Sequence, residues 1–227
     1  ADILPNVLDV TRIKDKKASA WPLWVVPMGI YVNKAVFAEA KVELPPKTWT
    51  WDQFVETAKK VTFKNAKGEQ VYGWSGFIDP GVVNTWALWM NEDPSVRPLT
   101  ADGKFGFEGA KAVAGLTRFA DLALKHKVTP PDFGSQKDAD IKGGFQNGQL
   151  AMIVDATGPA AQFKGAKVDF EIYPHPTMNG NKLTVGAVGL IAVAKTKDEA
   201  KRKAAMDLGR YLTSSEVQDD VPVGSNV

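Results

Sequence analysis

Apolar positions along the chain follow two rhythms. Nearly continuous apolar runs at 24–32, 70–77, 151–155, 169–173 and 184–194 read as strands. Over 51–62, 80–91, 108–126, 136–147 and 197–213 the apolar residues instead recur every three or four positions, the period of a helix with one buried face. Phe54, Val55, Ala58 and Val61 share a face in the first of these helices. Val113, Leu116, Phe119, Ala120 and Ala123 form the expected stripe of 108–126, and Ala200, Ala204, Leu208 and Leu212 that of 197–213. The boundary signals agree with the periods. Thr50 and Gln53 make a capping box, and Ser135 with Asp138 and Thr196 with Glu199 offer two more. Pro45-Pro46 stops the segment before Thr50, and Gly148 ends the helix before it. Strands interleaved with helices predict an α/β protein. The run 24–32 is apolar on both faces, as in a strand covered on both sides.

Three segments carry a resemblance in a fixed order. The first is YVNKAVFAEAKVELPPKTWTWDQFVETAKKV, residues 31–61: Y-x-N-K, an apolar turn, P-P-K-T-W, then a helix. The second is GGFQNGQLAMIVDATGP, residues 143–159, and the third LTVGAVGLIAVAKTKDEAKRKAAMDLGRYLTSSEVQ, residues 183–218. Together they resemble the extracellular solute-binding proteins of bacterial ABC importers, in the sugar-binding branch that includes maltose-binding protein. The resemblance implies a periplasmic-binding-protein-like α/β fold, with two lobes joined by crossing strands and ligand held between them. On that layout 1–32 is a first-lobe remnant and crossing strand. Residues 33–182 form a nearly complete second lobe, and 183–227 the return hinge strand with a first-lobe helix. The family normally has a long region before the equivalent of Ala1 and continues well past the equivalent of Tyr211–Gln218. The chain is therefore expected to be a fragment that leaves apolar surface uncovered. Strand 24–32 and the face of helix 197–213 are the surfaces concerned.

Composition narrows the function classes. The 28 basic and 26 acidic residues nearly cancel, which gives no support for a nucleic-acid partner. There is no cysteine, so neither disulfides nor thiolate metal sites arise. No run of eighteen apolar residues suggests a membrane span. The first residues, ADILPNVLDV, lack a charged and apolar leader, so an exported form is expected to have its targeting segment missing from this chain. The two histidines, His126 and His175, have no ligand partners at metal spacing and are expected at the surface. No hydrolase, zinc, phosphate-loop or dinucleotide motif appears, and no cofactor is expected.

Ligands of open α/β sheets gather at the carboxyl ends of the strands. The loop after 70–77 offers Asp79, Asn84 and Trp86. Asp79 can accept two hydroxyls, and Asn84 can donate and accept. Asp79-Pro80 equally suits a helix cap, and Trp86, near Leu88 and Trp89, equally suits a core. The loop Asp155-Ala156-Thr157-Gly158-Pro159 holds its backbone in a tight turn that can aim amides at a ligand, while Asp155 or Thr157 also suits a helix cap. In maltose-binding protein an aromatic side chain of this loop stacks on the sugar; here the matching place falls near Gly158, with no aromatic. Gly186 and Gly189 lie inside a strand, where glycine needs a reason such as hinge packing or close approach of a ligand. Of the seven tryptophans, Trp24 suits sugar stacking best because it opens the crossing strand, although a core position suits it too.

The expected function is solute capture for an ABC importer. A small carbohydrate is held by closure of two lobes and delivered to a membrane permease outside the cytoplasm, with no enzymatic step. Two rivals remain: an α/β enzyme acting on a carbohydrate, and the same fold binding a non-sugar solute such as glycerol phosphate. The first needs a nucleophile–base or paired-carboxylate site. The second needs a basic residue in the cleft loops, and 78–86 and 155–159 contain none.

Overall fold

The computed structural model describes residues 5–12, 19–78, 85, 87–96, 102–182 and 184–220. The chain divides into two compact units, one of Ala1–Pro27 with Gly186–Val227 and the other of Met28–Val185. The division falls inside a strand, between Pro27 and Met28, a few residues before the 32/33 boundary expected from the resemblance.

The larger unit is built on a sheet of four strands in the order β4-β5-β1-β6. These are β1 (Trp21–Asn33), whose second half lies here, β4 (Ser75–Gly76), β5 (Met152–Ala156) and β6 (Phe170–Tyr173). β1 runs antiparallel to both β5 and β6, and β4 runs parallel to β5. Alternation along β1 sends Ile30 and Val32 into one buried cluster and Tyr31 into another. The first cluster joins them to α2 (Lys34–Ala40), α3 (Trp51–Lys60), α4 (Ala87–Met90) and α5 (Gly109–Leu124) through Phe37, Phe54, Leu88 and Leu122. The second joins Tyr31 to α6 (Asp138–Gln146) and α7 (Ala160–Gly165) through Phe145 and Phe163. The sheet is therefore covered on both faces, which is why its strands carry few polar residues. Each such side chain taken from water stabilises the unit by roughly 1.5–3 kcal/mol.

Local signals set several of these elements. Thr50 Oγ1 accepts from Gln53 N–H and Gln53 Oε1 accepts from Thr50 N–H, the complete capping box of α3. Asn33 joins three elements at once. Its Oδ1 accepts from the amides of Ala35 and Val36 at the start of α2, and its Nδ2 donates to the Phe145 carbonyl at the end of α6. Gly148, at φ +74°, turns the chain out of α6.

Four expectations are corrected. The run 70–77 is two strands, not one: β3 (Gln70–Val71) pairs with β2 (Phe63–Lys64), and β4 joins the main sheet. The break lies at Gly73, which crosses α3 so closely that a Cβ would sit 2.0 Å from the Ala58 carbonyl oxygen. The buried face of α5 is Ala112, Gly115, Phe119 and Leu122, with Val113 and Leu116 exposed. Gly115 decides this rotation, because a Cβ there would meet the Trp89 carbonyl at 2.4 Å. The cap of α6 is also displaced: Asp140 accepts from Lys137 N–H, while Ser135 donates to Asp132. Before α8 (Glu199–Leu212) the cap is Asp198, which accepts from Ala200 and Lys201 N–H, with Thr196 bonded to Asp198 N–H.

The smaller unit contains α1 (Pro5–Val10), the first half of β1, β7 (Gly186–Ile191), α8 and α9 (Ser215–Asp220). β7 pairs antiparallel with β1 from Trp21 to Pro27, with an irregularity between Pro22 and Trp24. Gly209 of α8 lies against the Trp21 ring. Leu208 and Tyr211 of the same helix remain exposed.

Candidate functional site

Strand directions bring several chain segments to one edge of the larger unit's sheet. β4, β5 and β6 all end there, and β1 enters there, since Met28 is in register with Ala156. The edge therefore carries Phe77 and Ile78, the segment Ala156 to Pro159, and Pro174-His175-Pro176. Of the candidate residues, Asp155, Thr157 and Gly158 lie together on it. Asp79, Asn84 and Trp86 lie outside the described residues. Trp24 and Gly186 belong to the smaller unit.

Asp155 sits at the root of the loop and is buried. Its Oδ1 accepts from Ala156 N–H at 2.7 Å, and its Oδ2 lies 3.4 Å from Lys142 Nζ. Lys142 also reaches Asp138 at 2.6 Å, so one ammonium is shared by two carboxylates. Burial lifts the Asp155 carboxyl above the usual range, and the attraction of Lys142 offsets this only in part. Burial works against the charge of Lys142 as well, but its bonds to the two aspartates outweigh that and raise its pKa.

The backbone of the loop is held from inside the sheet. Tyr31 donates to the Ala156 carbonyl at 2.6 Å, with its ring packed edge-on against Phe145 and Phe163. Burial, then the negative charge of Asp155, pushes the Tyr31 phenol well above its ordinary pKa, so it remains a donor. Neither Asp155 nor Thr157 caps the following helix; Pro159 holds the N-cap position of α7, with no side-chain cap bond. The Thr157 hydroxyl is buried with no hydrogen-bond partner. Gly158 is exposed, with open space where a Cβ would be. On the neighbouring strand, Ser75 donates to Gln136 at 2.6 Å.

His175 corrects the expectation of a surface position. It is 4% exposed, and neither ring nitrogen has a partner. Burial holds its pKa down to about 4, so the imidazole is neutral at ordinary pH. His126 is half-buried, and its pKa is lowered by burial and by Lys59 and Lys125.

The tryptophans separate clearly. Trp49, Trp51, Trp74 and Trp89 are core residues. Trp24 is 40% exposed, which removes the core reading for that residue. Gly186 is where β7 passes close to β1: a Cβ there would lie 3.0 Å from the Val26 carbonyl oxygen. Lys142, Gln136 and Tyr31 escaped the sequence reading. The i,i+4 pair Asp138–Lys142 was visible in the sequence, but the approach of Lys142 to Asp155 is a tertiary contact. Among the described residues no cluster of acidic and histidine side chains suits a metal ion, and no helix is long and apolar enough to cross a membrane.

The family model for bacterial extracellular solute-binding proteins matches residues 2–219. The sn-glycerol-3-phosphate-binding periplasmic protein UgpB of Rhizobium meliloti (strain 1021) is 22% identical over 205 residues, covering 83% of this chain and 44% of that protein. Maltose-bound MalE3 of T. maritima superposes with a TM-score of 0.79 at 23% identity, over 99% of this chain and 58% of that one. A solute-binding protein of an ABC transporter from Agrobacterium vitis S4, with bound D-mannitol, gives 0.71 at 25% identity, over 97% and 52%. The chain thus spans about half the length of these relatives, from 44% to 58%. With nearly its whole length matched, the chain belongs to the bacterial extracellular solute-binding protein family.

Proposed function

We propose that the chain is part of a solute-binding component of an ABC importer, working outside the cytoplasmic membrane. It captures a small carbohydrate and passes it to a membrane permease. The observation that carries this reading is the polar strand-end edge of the larger unit. There the Thr157 hydroxyl is buried without a partner, beside the ion-paired Asp155. A buried hydroxyl with no partner is costly unless something else supplies one, and a sugar or polyol hydroxyl is of the right kind. Asp155, Thr157 and Gly158 are assigned to this wall. Maltose and D-mannitol, the ligands bound in two of the related proteins, offer hydroxyls of that kind.

Glycerol phosphate is the second reading, favoured by the likeness to UgpB. The charge balance weighs against it. Lys142 is the cation at the loop's root, and two carboxylates already share it, leaving a local excess of negative charge. We read the chain as a binder rather than an enzyme, since the two carboxylates at this edge are engaged by a lysine and not by a nucleophile. Incubation with oligosaccharides should release no reducing ends.

A thermal-shift screen tests the proposal. Mono- and oligosaccharides, alditols and glycerol phosphate are added in turn to the purified protein. A ligand at a hundredfold excess over its Kd should stabilise the protein by about 2.7 kcal/mol. Stabilisation by glycerol phosphate with none from any sugar or alditol would move the assignment to the second reading.

A further inference from the structure

Gly189 has no conformational reason to be glycine. It lies inside β7, and its φ is not in the left-handed region. Glycine inside a strand loses backbone entropy and packs nothing, so the position weakens the strand unless the missing Cβ makes room for something. The register shows what occupies the room. Gly189 is directly opposite Trp24 on β1. A Cβ on Gly189 would lie 2.2 Å from Trp24 Cε2 and 2.5 Å from both Cδ2 and Cζ2. Those three atoms belong to the fused ring system, so the indole lies flat across the Gly189 backbone rather than standing edge-on beside it.

The other tryptophan of the strand makes a useful contrast. Trp21 is met by Gly209 of α8, where a Cβ would lie 3.0–3.1 Å from its ring, so a helix covers that indole. Trp24 has strand backbone under one face and is 40% exposed. It makes no ring–ring contact or hydrogen bond with the protein among the described residues. An indole fixed flat on a strand, 40% exposed and with its Nε1–H unpartnered among the described residues, is a preformed platform. Platforms of this kind suit the flat C–H face of a pyranose ring, and the free N–H can serve a ring-substituent hydroxyl. An acyclic alditol has no such rigid face.

We infer that Gly189 is a positioning residue that lays the Trp24 indole down as a stacking platform, and that the platform selects a pyranoside over an acyclic polyol. This rests on the carbohydrate-binding reading above and narrows it. The glycine acts through the tryptophan and need not touch the sugar itself.

The test is a double-mutant cycle on the full chain, with maltose and D-mannitol as the two probes. Calorimetric titration gives each Kd, and tryptophan emission reports the indole environment. The unmodified protein should bind maltose at least tenfold more tightly than mannitol. Trp24→Ala should weaken maltose by about tenfold and mannitol by less than twofold. Gly189→Ala should weaken maltose by a similar factor and shift the Trp24 emission, because the ring must leave the strand. In the Trp24→Ala background, Gly189→Ala should leave both Kd values unchanged and hold or slightly raise the melting temperature, since the ring that it would meet is gone and alanine restricts the unfolded chain. That double variant also shows that alanine is tolerated there if Gly189→Ala alone folds poorly. Trp24→Phe should recover part of the maltose preference. Equal losses from Gly189→Ala with and without Trp24 would overturn the positioning role. Mannitol bound as tightly as maltose would overturn the pyranoside preference while leaving carbohydrate capture standing. Binding of neither probe nor any other saccharide would overturn both.

Discussion

The two halves of β1 are built from the same kinds of residue and end in different surroundings. From Met28 to Asn33 every position is buried, because β5 and β6 flank the strand and helices cover both faces. From Trp21 to Pro27 only Pro22 is buried, and β7 is the one paired strand among the described residues. WPLWVVP is as apolar as MGIYVN, so burial here is decided by what packs on the strand and not by the strand's own sequence. The first half spends its apolar character on presenting a surface, and the second on holding a core together.

Substitutions should separate the halves cleanly. Ile30→Ala, at the centre of the second half and fully buried, should cost about 4 kcal/mol in urea or guanidinium unfolding, within the range for emptying a core site. A loss under about 1 kcal/mol would mean the second half is no better packed than the first. Next in size is the support behind β5 where it runs beside Gly29. Lys142→Met removes the cation that offsets the buried Asp155 and should cost about 3 kcal/mol at neutral pH. Adding Asp155→Asn should recover most of that loss; if the double variant is no better than the single, the pair is not the reason.

A smaller effect comes with acid. His175 follows β6, which flanks the second half of β1. Its imidazole titrates near 6.5 in the unfolded chain and at about 4 in the folded one. The unfolded state therefore takes up the proton first as pH falls, and stability is lost from about pH 6.5 downward until the folded value is passed. Between pH 7 and pH 5 this amounts to about 2 kcal/mol. His175→Phe should flatten that part of the stability–pH curve; an unchanged slope would place its origin elsewhere. The smallest expected effect is Trp24→Ala, in the exposed half, at under about 1 kcal/mol by the same unfolding measurement. A loss comparable with that of Ile30→Ala would show that the first half is core after all.

The sequence was legible where the cause of a feature lay within a few residues of it. Thr50 and Gln53 cap α3 through bonds three positions apart. The double-sided apolarity of 24–32 reads as a covered strand, and that holds only from Met28 onward, since Trp24 is exposed and 25–27 are half-buried. It was not legible where the cause came from another element. Gly73 breaks the 70–77 run because of the Ala58 backbone, and Gly115 turns α5 because of Trp89. His175, between two prolines, looked like a surface residue and is buried. At the candidate site, the segment 155–159 was recognisable as a strand-end loop from its glycine and proline. The salt link that steadies its root was hidden, since Asp155 and Lys142 meet only once β5 and α6 pack.

The pairing of β1 also has a consequence for how the protein is made. Tyr31 bonds to Ala156, 125 residues further along, and β6 and β7 come later still. At synthesis rates of 5–20 residues per second, the strand waits roughly 6–25 s between its own emergence and that of its first neighbour. Throughout that interval thirteen mostly apolar residues have unpaired edges on both sides. Premature pairing between nascent chains is thus the hazard this topology carries. Yield on expression should respond more to chaperone supply and growth temperature than the stability of the finished fold would suggest.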